Sequence, residues 1–220
     1  MWNSEVTNMI LKGIWETIEM SFFSTVFGYL IGLPVGVLCA VSDKDGIHPN
    51  APLYRVLDFI INVLRSIPFL ILLILLIPFT TALVGVSYGT KGTIVPLVIS
   101  AAPFIARMVE SSIKEVDHGV IEAAQSMGAG NWTIITKVLL GEARVSLVVG
   151  VTIVFATVLG YSAMAGVVGG GGLGDIAIRY GYYRYQADIM IVCVVLLVVL
   201  TQVFQAAGMK VAGRIDRRRA

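Results

Sequence analysis

Long apolar runs alternate with short wet islands along this chain. Residues 20–41, 92–108, 144–168 and 189–208 are apolar runs of roughly twenty residues, the length that crosses about 30 Å of hydrocarbon at 1.5 Å per residue. Residues 53–66 keep a helical period but carry Asp58, Asn62 and Arg65, with Asp58 and Asn62 four apart on one face. A bare Arg at mid-bilayer costs about 2.5–3.5 kcal/mol even on the lenient insertion scale, so this part belongs at an interface or against a wet cavity. Pro68 predicts a bend, the apolar run resumes over 69–77, and Pro78 marks an end or a second kink. The pattern predicts an all-α, polytopic membrane protein with five spans and a single domain over 1–220.

Between the runs, residues 42–52 hold Asp43, Gly46, Pro49, Asn50 and Pro52, which is turn chemistry. Residues 80–91 read as a short outside loop, and 175–186, rich in Tyr, as an outside loop with an interfacial aromatic belt. Gly28, Gly32 and Gly36 make a smooth ridge on the first helix, suited to close packing within the chain, and Pro34 should kink it. The third span carries Pro96 and Pro103, so its neighbours must satisfy freed carbonyls. Arg107, Glu110 and Lys114 follow at i, i+3 and i+7 and read as a solvated ladder of opposite charges.

The longest wet island is 122–141. Asp117 is placed to cap a helix over 118–127. At 100° per residue, Val120, Ala123, Ala124 and Met127 share one side, while Glu122, Gln125 and Ser126 lie opposite. Gly128 suits the left-handed position that ends a helix, and Asn131 is placed to cap a second one from Trp132. A short amphipathic helix cannot bury its apolar face alone. It needs the rest of the chain, the lipid surface or a partner protein.

Composition agrees with the membrane class. Of 220 residues, 57% are hydrophobic and 14% charged, against about 25% charged in a typical soluble domain. Cys39 and Cys193 lie in apolar runs without CxxC spacing or clustered His, which gives no support to a disulfide or metal site. Glu5, Glu16 and Glu19, and the lack of a small-residue cleavage site, mark the first helix as retained. The basic tail 210–219 reads as a cytoplasmic stop signal rather than a nucleic-acid contact.

With the C-terminus inside, ten basic residues lie inside: Lys44, Arg55, Lys114, Lys137, Arg144, Lys210, Arg214, Arg217, Arg218 and Arg219. Four lie outside: Lys12, Lys91, Arg179 and Arg184. The positive-inside rule then gives an outside N-terminus and a cytoplasmic C-terminus, and puts 122–141 in the cytoplasm.

Glu122-Ala123-Ala124, three residues, Gly128, nine residues and Val138-Leu139-Leu140 resemble the EAA loop of ABC importer permeases. The family pattern ends I-x-L-P, whereas Val138 and Gly141 stand at the Ile and Pro positions here. The segments 65–69, 102–110, 160–166 and 169–174, and Tyr180-Gly181-Tyr182, are similar to the permease family of methionine-uptake ABC transporters.

That resemblance implies a type I importer permease in the bacterial inner membrane. It implies a homodimer with two copies of an ABC ATPase and an extracytoplasmic substrate-binding protein, a lipoprotein. The substrate would be L-methionine, with D-methionine as a second one. The coupling loop would span 109–143, with Glu122, Ala123, Ala124, Met127 and Gly128 as its ATPase contact. Tyr161, Ser162 and Met164 are candidates for the translocation pathway, set against ordinary packing by small neighbours. Gly169–Gly174 reads as an outer gate or docking turn, or equally as a tight loop.

The chain has no GxxxxGKS/T phosphate loop, so it should be non-catalytic, without a cofactor of its own, and ATP and Mg would belong to the partner. The competing readings are a secondary transporter working without ATP and an intramembrane enzyme. Mid-span paired ionisable groups would mark the first, and none is evident. The second lacks a Ser/His or HExxH constellation, and His48 and His118 fall outside the spans.

Overall fold

A computed structural model describes residues 4–216, which are helical throughout with no strand among them. Helix α1 (Ser4–Ser42) begins well before the apolar run and continues through Pro34, which does not end it. A loop leads to α2 (Ala51–Ser66), which Asn50 caps by accepting from the Leu53 amide at 3.2 Å. The chain then bends by 98° into α3 (Phe69–Leu75). Proline disfavours helical backbone in the residue before it, and Ile67 is accordingly extended. The helix breaks again at Leu76 and resumes as α4 (Ile77–Val84), with Pro78 in its first turn.

The outside loop expected over 80–91 is therefore much shorter, because α4 continues to Val84 and α5 (Gly89–Lys114) starts at Gly89. The third span is correspondingly longer than 92–108 and holds both Pro96 and Pro103 inside it. Next come α6 (His118–Ser126), α7 (Asn131–Thr133), a π-helical turn Ile134–Leu139 and α8 (Leu140–Glu142). Then α9 (Arg144–Ala165) runs into a 3-10 turn, and α10 (Gly172–Ile176) into a π-turn Ala177–Tyr182. Finally α11 (Ala187–Ile215) extends beyond the expected 189–208. Arg217, Arg218 and Arg219 of the basic tail lie outside the described residues.

Among the described residues, four segments are long and apolar enough to cross a membrane, five when the bent α2–α3 pair is counted as one span. Their centre is the α1–α5 pair, with α9 against both. Gly28, Gly32 and Gly36 form the contact ridge, within the chain as expected. A Cβ on Gly32 would lie 2.6 Å from the Ala102 carbonyl oxygen, and one on Gly36 2.5 Å from that of Ala106. Backbone is what would be struck, so no rotamer change relieves it. Gly36→Val should cost about 1–3 kcal/mol and lower the midpoint of thermal unfolding in detergent.

The outermost helix is α11, which packs on α9 through Phe155 and Phe204, with ring centroids 4.3 Å apart. It buries only Ile189, Cys193 and Ala212, and the apolar remainder suits lipid.

The 175–186 segment is not a loop. Gly172 to Ala177 are all buried, in α10 and the turn that follows. The Gly172 amide donates to Glu16 at 2.8 Å and the Leu173 amide to the Thr17 hydroxyl at 2.9 Å, fastening this turn to α1. Thr93 donates to the Gly170 carbonyl at 3.1 Å, and the Gly89 amide to that of Gly169 at 2.9 Å, tying it to α5 as well. The glycine run has the geometry of a tight, packed turn. Of the tyrosines, Tyr182, Tyr183 and Tyr185 are exposed and Tyr180 is half-buried.

Candidate coupling surface and the charged cluster behind it

Three residues after α5 ends, Asp117 caps α6, its Oδ1 accepting from the Gly119 amide at 2.7 Å. Asp117→Ala should cost about 1 kcal/mol, seen as faster amide exchange over the first turn of α6. At the other end the Gly128 amide donates to Gln125 O at 2.9 Å and the Ala129 amide to Ala124 O at 3.0 Å. Gly128 has φ +79°, in the left-handed region, as its helix-ending role requires. The second cap differs from expectation. Gly130 is the residue before α7, Asn131 is already helical, and no side chain caps this end.

Only Ala124 of α6 is buried, and Ile121 is half-buried. Glu122, Ala123, Gln125 and Gly128 are exposed. So are Val120 and, at 81%, Met127. Trp132 is 76% exposed beside them. Ala124 thus seats one edge of the apolar face, while Val120, Ala123 and Met127 stay open among the described residues. Trp132, a large aromatic four residues past the helix-ending Gly128, is exposed although it lies outside the EAA pattern. A cavity of about 180 Å³ separates α6 from the loop after α1, lined by Asp43, Lys114, His118 and Ile121.

Directly behind α6, Arg107, Glu110 and Lys114 are not a solvated ladder. Glu110 is 2% exposed and takes three donors. Its Oε1 accepts from Lys114 at 2.8 Å and from the Tyr54 hydroxyl at 3.0 Å, and its Oε2 from Arg107 at 2.8 Å. Arg107 Nη2 donates onward to Asp58 Oδ1 and, at 3.0 Å, to Asn62 Oδ1. Asn62 Nδ2 donates to Asp58 Oδ2 at 3.0 Å, and Lys114 pairs with Asp43 at 2.7 Å. Glu110 is buried and paired because α2 covers it with a matching stripe, while Arg107 is half-buried and Lys114 stays exposed.

The Lys114 ammonium holds the Asp43 carboxyl below the ordinary carboxylate range. A depressed acid supports the fold fully above its unfolded value, so this tie weakens only as pH falls through the lowered folded one.

Of the pathway candidates, Tyr161 and Met164 stand three apart on α9 with Ser162 between them in sequence. Ser162 is buried and donates to the Leu159 carbonyl at 2.8 Å, the bland role of a small packed residue. Met164 is 51% exposed. Tyr161 stacks on Phe69 at 4.7 Å with rings 4° from parallel, joining α9 to the α2–α3 bend. Cys39 and Cys193 are buried and free. Among the described residues no group of His, Cys, Asp or Glu could hold a metal ion.

The family described as "Binding-protein-dependent transport system inner membrane component" matches residues 32–218. The chain belongs to that family. This inner-membrane component is 46% identical over 217 residues to the "Probable D-methionine transport system permease protein MetI" of Vibrio cholerae, covering 99% of this chain and 96% of that one. It is 52% identical over 158 residues to the "D-methionine transport system permease protein MetI" of Escherichia coli, covering 72% and 73% of the two chains. Its fold superposes with a TM-score of 0.96 on a chain described under "Inward facing conformations of the MetNI methionine ABC transporter". That pair is 48% identical, over 98% of this chain and 100% of the other.

Proposed function

We propose that this chain is the membrane-spanning permease subunit of an ATP-driven importer that carries methionine, D- or L-, into the cytoplasm. The observation that carries the reading is α6, a capped amphipathic helix at one end of an apolar bundle, with Met127 and, five residues on, Trp132 both largely exposed among the described residues. An ATPase groove is the proposed cover, with Glu122, Ala123, Ala124, Met127 and Gly128 at the contact and Trp132 at its edge. Large exposed apolar side chains on α2 to α4, among them Phe59, Ile71, Leu75 and Leu83, supply the surface for a second copy. The methionine assignment rests on the relatives' names.

In this reading two copies pair, two ATPase subunits bind on the cytoplasmic side, and a substrate-binding protein delivers from outside. The ten-to-four excess of basic residues on the side of the C-terminus supports the N-out, C-in orientation. ATP closing the ATPase pair would move the two α6 helices as levers, and the spans would switch between two packings. ATP, Mg and the hydrolysis would lie in the partner.

Copurification from native membrane tests this. An ATPase with a phosphate loop should appear in equal amount with this chain, and its consistent absence would favour a transporter that works without ATP.

A further inference from the structure

The elements that α6 would drive, α2 and the end of α5, are joined to each other by charge, and α6 follows α5 after only three residues. Within this chain α2 buries one residue, Ile61. Its Tyr54, Asp58 and Asn62, at i, i+4 and i+8, form a polar stripe against Arg107, Glu110 and Lys114 of α5. Apolar contact is non-directional and lets helices slide. A guanidinium is a rigid planar fork. Here Arg107 gives Nη1 to Glu110 on its own helix and Nη2 to Asp58 and Asn62 on α2, so sliding α2 along α5 breaks the bonds to Asp58 and Asn62 and, with them, that from Tyr54 to Glu110. Lys114, in the last turn of α5, also holds Asp43 in the loop between α1 and α2. The far end of α2 leads through the 98° bend to Phe69, which is buried and stacked on Tyr161 of α9.

We infer that the Arg107–Glu110 cluster is a mechanical link that makes α2 and the end of α5 move as one body with α6, delivering the displacement of α6 to the Phe69–Tyr161 contact. Arg107, Glu110, Asp58 and Asn62 are then positioning residues for transport, touching neither ATP nor substrate. This rests on the importer reading above.

The test uses the whole complex, with its ATPase and binding protein, in proteoliposomes. Two variants are made. Asp58→Ala with Asn62→Ala cuts the α2 side of the link and leaves the Arg107–Glu110 pair. Arg107→Lys keeps the charge and removes the fork. Methionine uptake and ATP hydrolysis are measured on the same vesicles. Uptake per ATP should fall about tenfold in the double variant, within the range of ordinary coupling energies, and by less in Arg107→Lys, with hydrolysis nearly unchanged. A purely structural brace predicts something else, uptake and hydrolysis falling in proportion. That result, an unchanged ratio in assembled complexes, or loss of assembly in both variants would overturn the inference. If the unaltered complex shows no ATP-driven uptake, it is the importer reading that fails, and the link with it.

Discussion

Gly128→Val should reduce ATP-driven uptake about tenfold or more while the protein still inserts in the membrane and is recovered at normal abundance. Space is not the obstacle, since a Cβ at Gly128 would meet nothing within 4 Å. The obstacle is the backbone at φ +79°, which an L-residue adopts at a cost of about 1–2 kcal/mol and a β-branched one least readily. That strain is local to the turn between α6 and α7, and a cost of this size shifts a local equilibrium by about 5- to 30-fold. The bundle, centred on α1 and α5, is untouched. Gly128→Asn is the control, because Asn visits the left-handed region readily, and it should keep most of the uptake. Uptake by Gly128→Val equal to the parent would remove α6 from the coupling role.

Glu110→Ala should be the most destabilising single change at the α6 end of the bundle, by about 3 kcal/mol, the low end of the cost of breaking a buried ion pair. The low end applies because Arg107 and Lys114 keep 27% and 41% side-chain exposure, which softens their loss of a partner. Glu110→Gln keeps the shape and one acceptor, and should fall between parent and Ala. Thermal unfolding in detergent measures the order of the three. Glu110→Ala as stable as the parent would mean that the cluster contributes little to the fold.

Much of this was open to reading from sequence, because its causes are local. The apolar runs, the turn chemistry after α1, the Pro68 bend, the Asp117 cap and the Gly128 helix end each depend on residues a few positions apart. The glycine ridge was legible for the same reason, though not which helix it meets. What failed depended on distant pairing. Asp58 and Asn62 form one stripe and Arg107, Glu110 and Lys114 another, each visible alone. Forty-nine residues separate Asp58 from Arg107, and nothing in either stripe states that they face each other. Segment 175–186 failed likewise, since its polar composition hid that Glu16 and Thr17 of α1 would fasten Gly172 and Leu173 just before it. Asn131 was a fair cap by type, and Gly130 took the position instead.

The most direct measurement of the central claim is amino-acid uptake into liposomes holding this chain with its cognate ATPase and binding protein, challenged with a panel of amino acids. Methionine should accumulate above its external concentration only when ATP, the ATPase and the binding protein are all present, and other amino acids should not. Accumulation that follows an ion gradient without the ATPase would contradict the account.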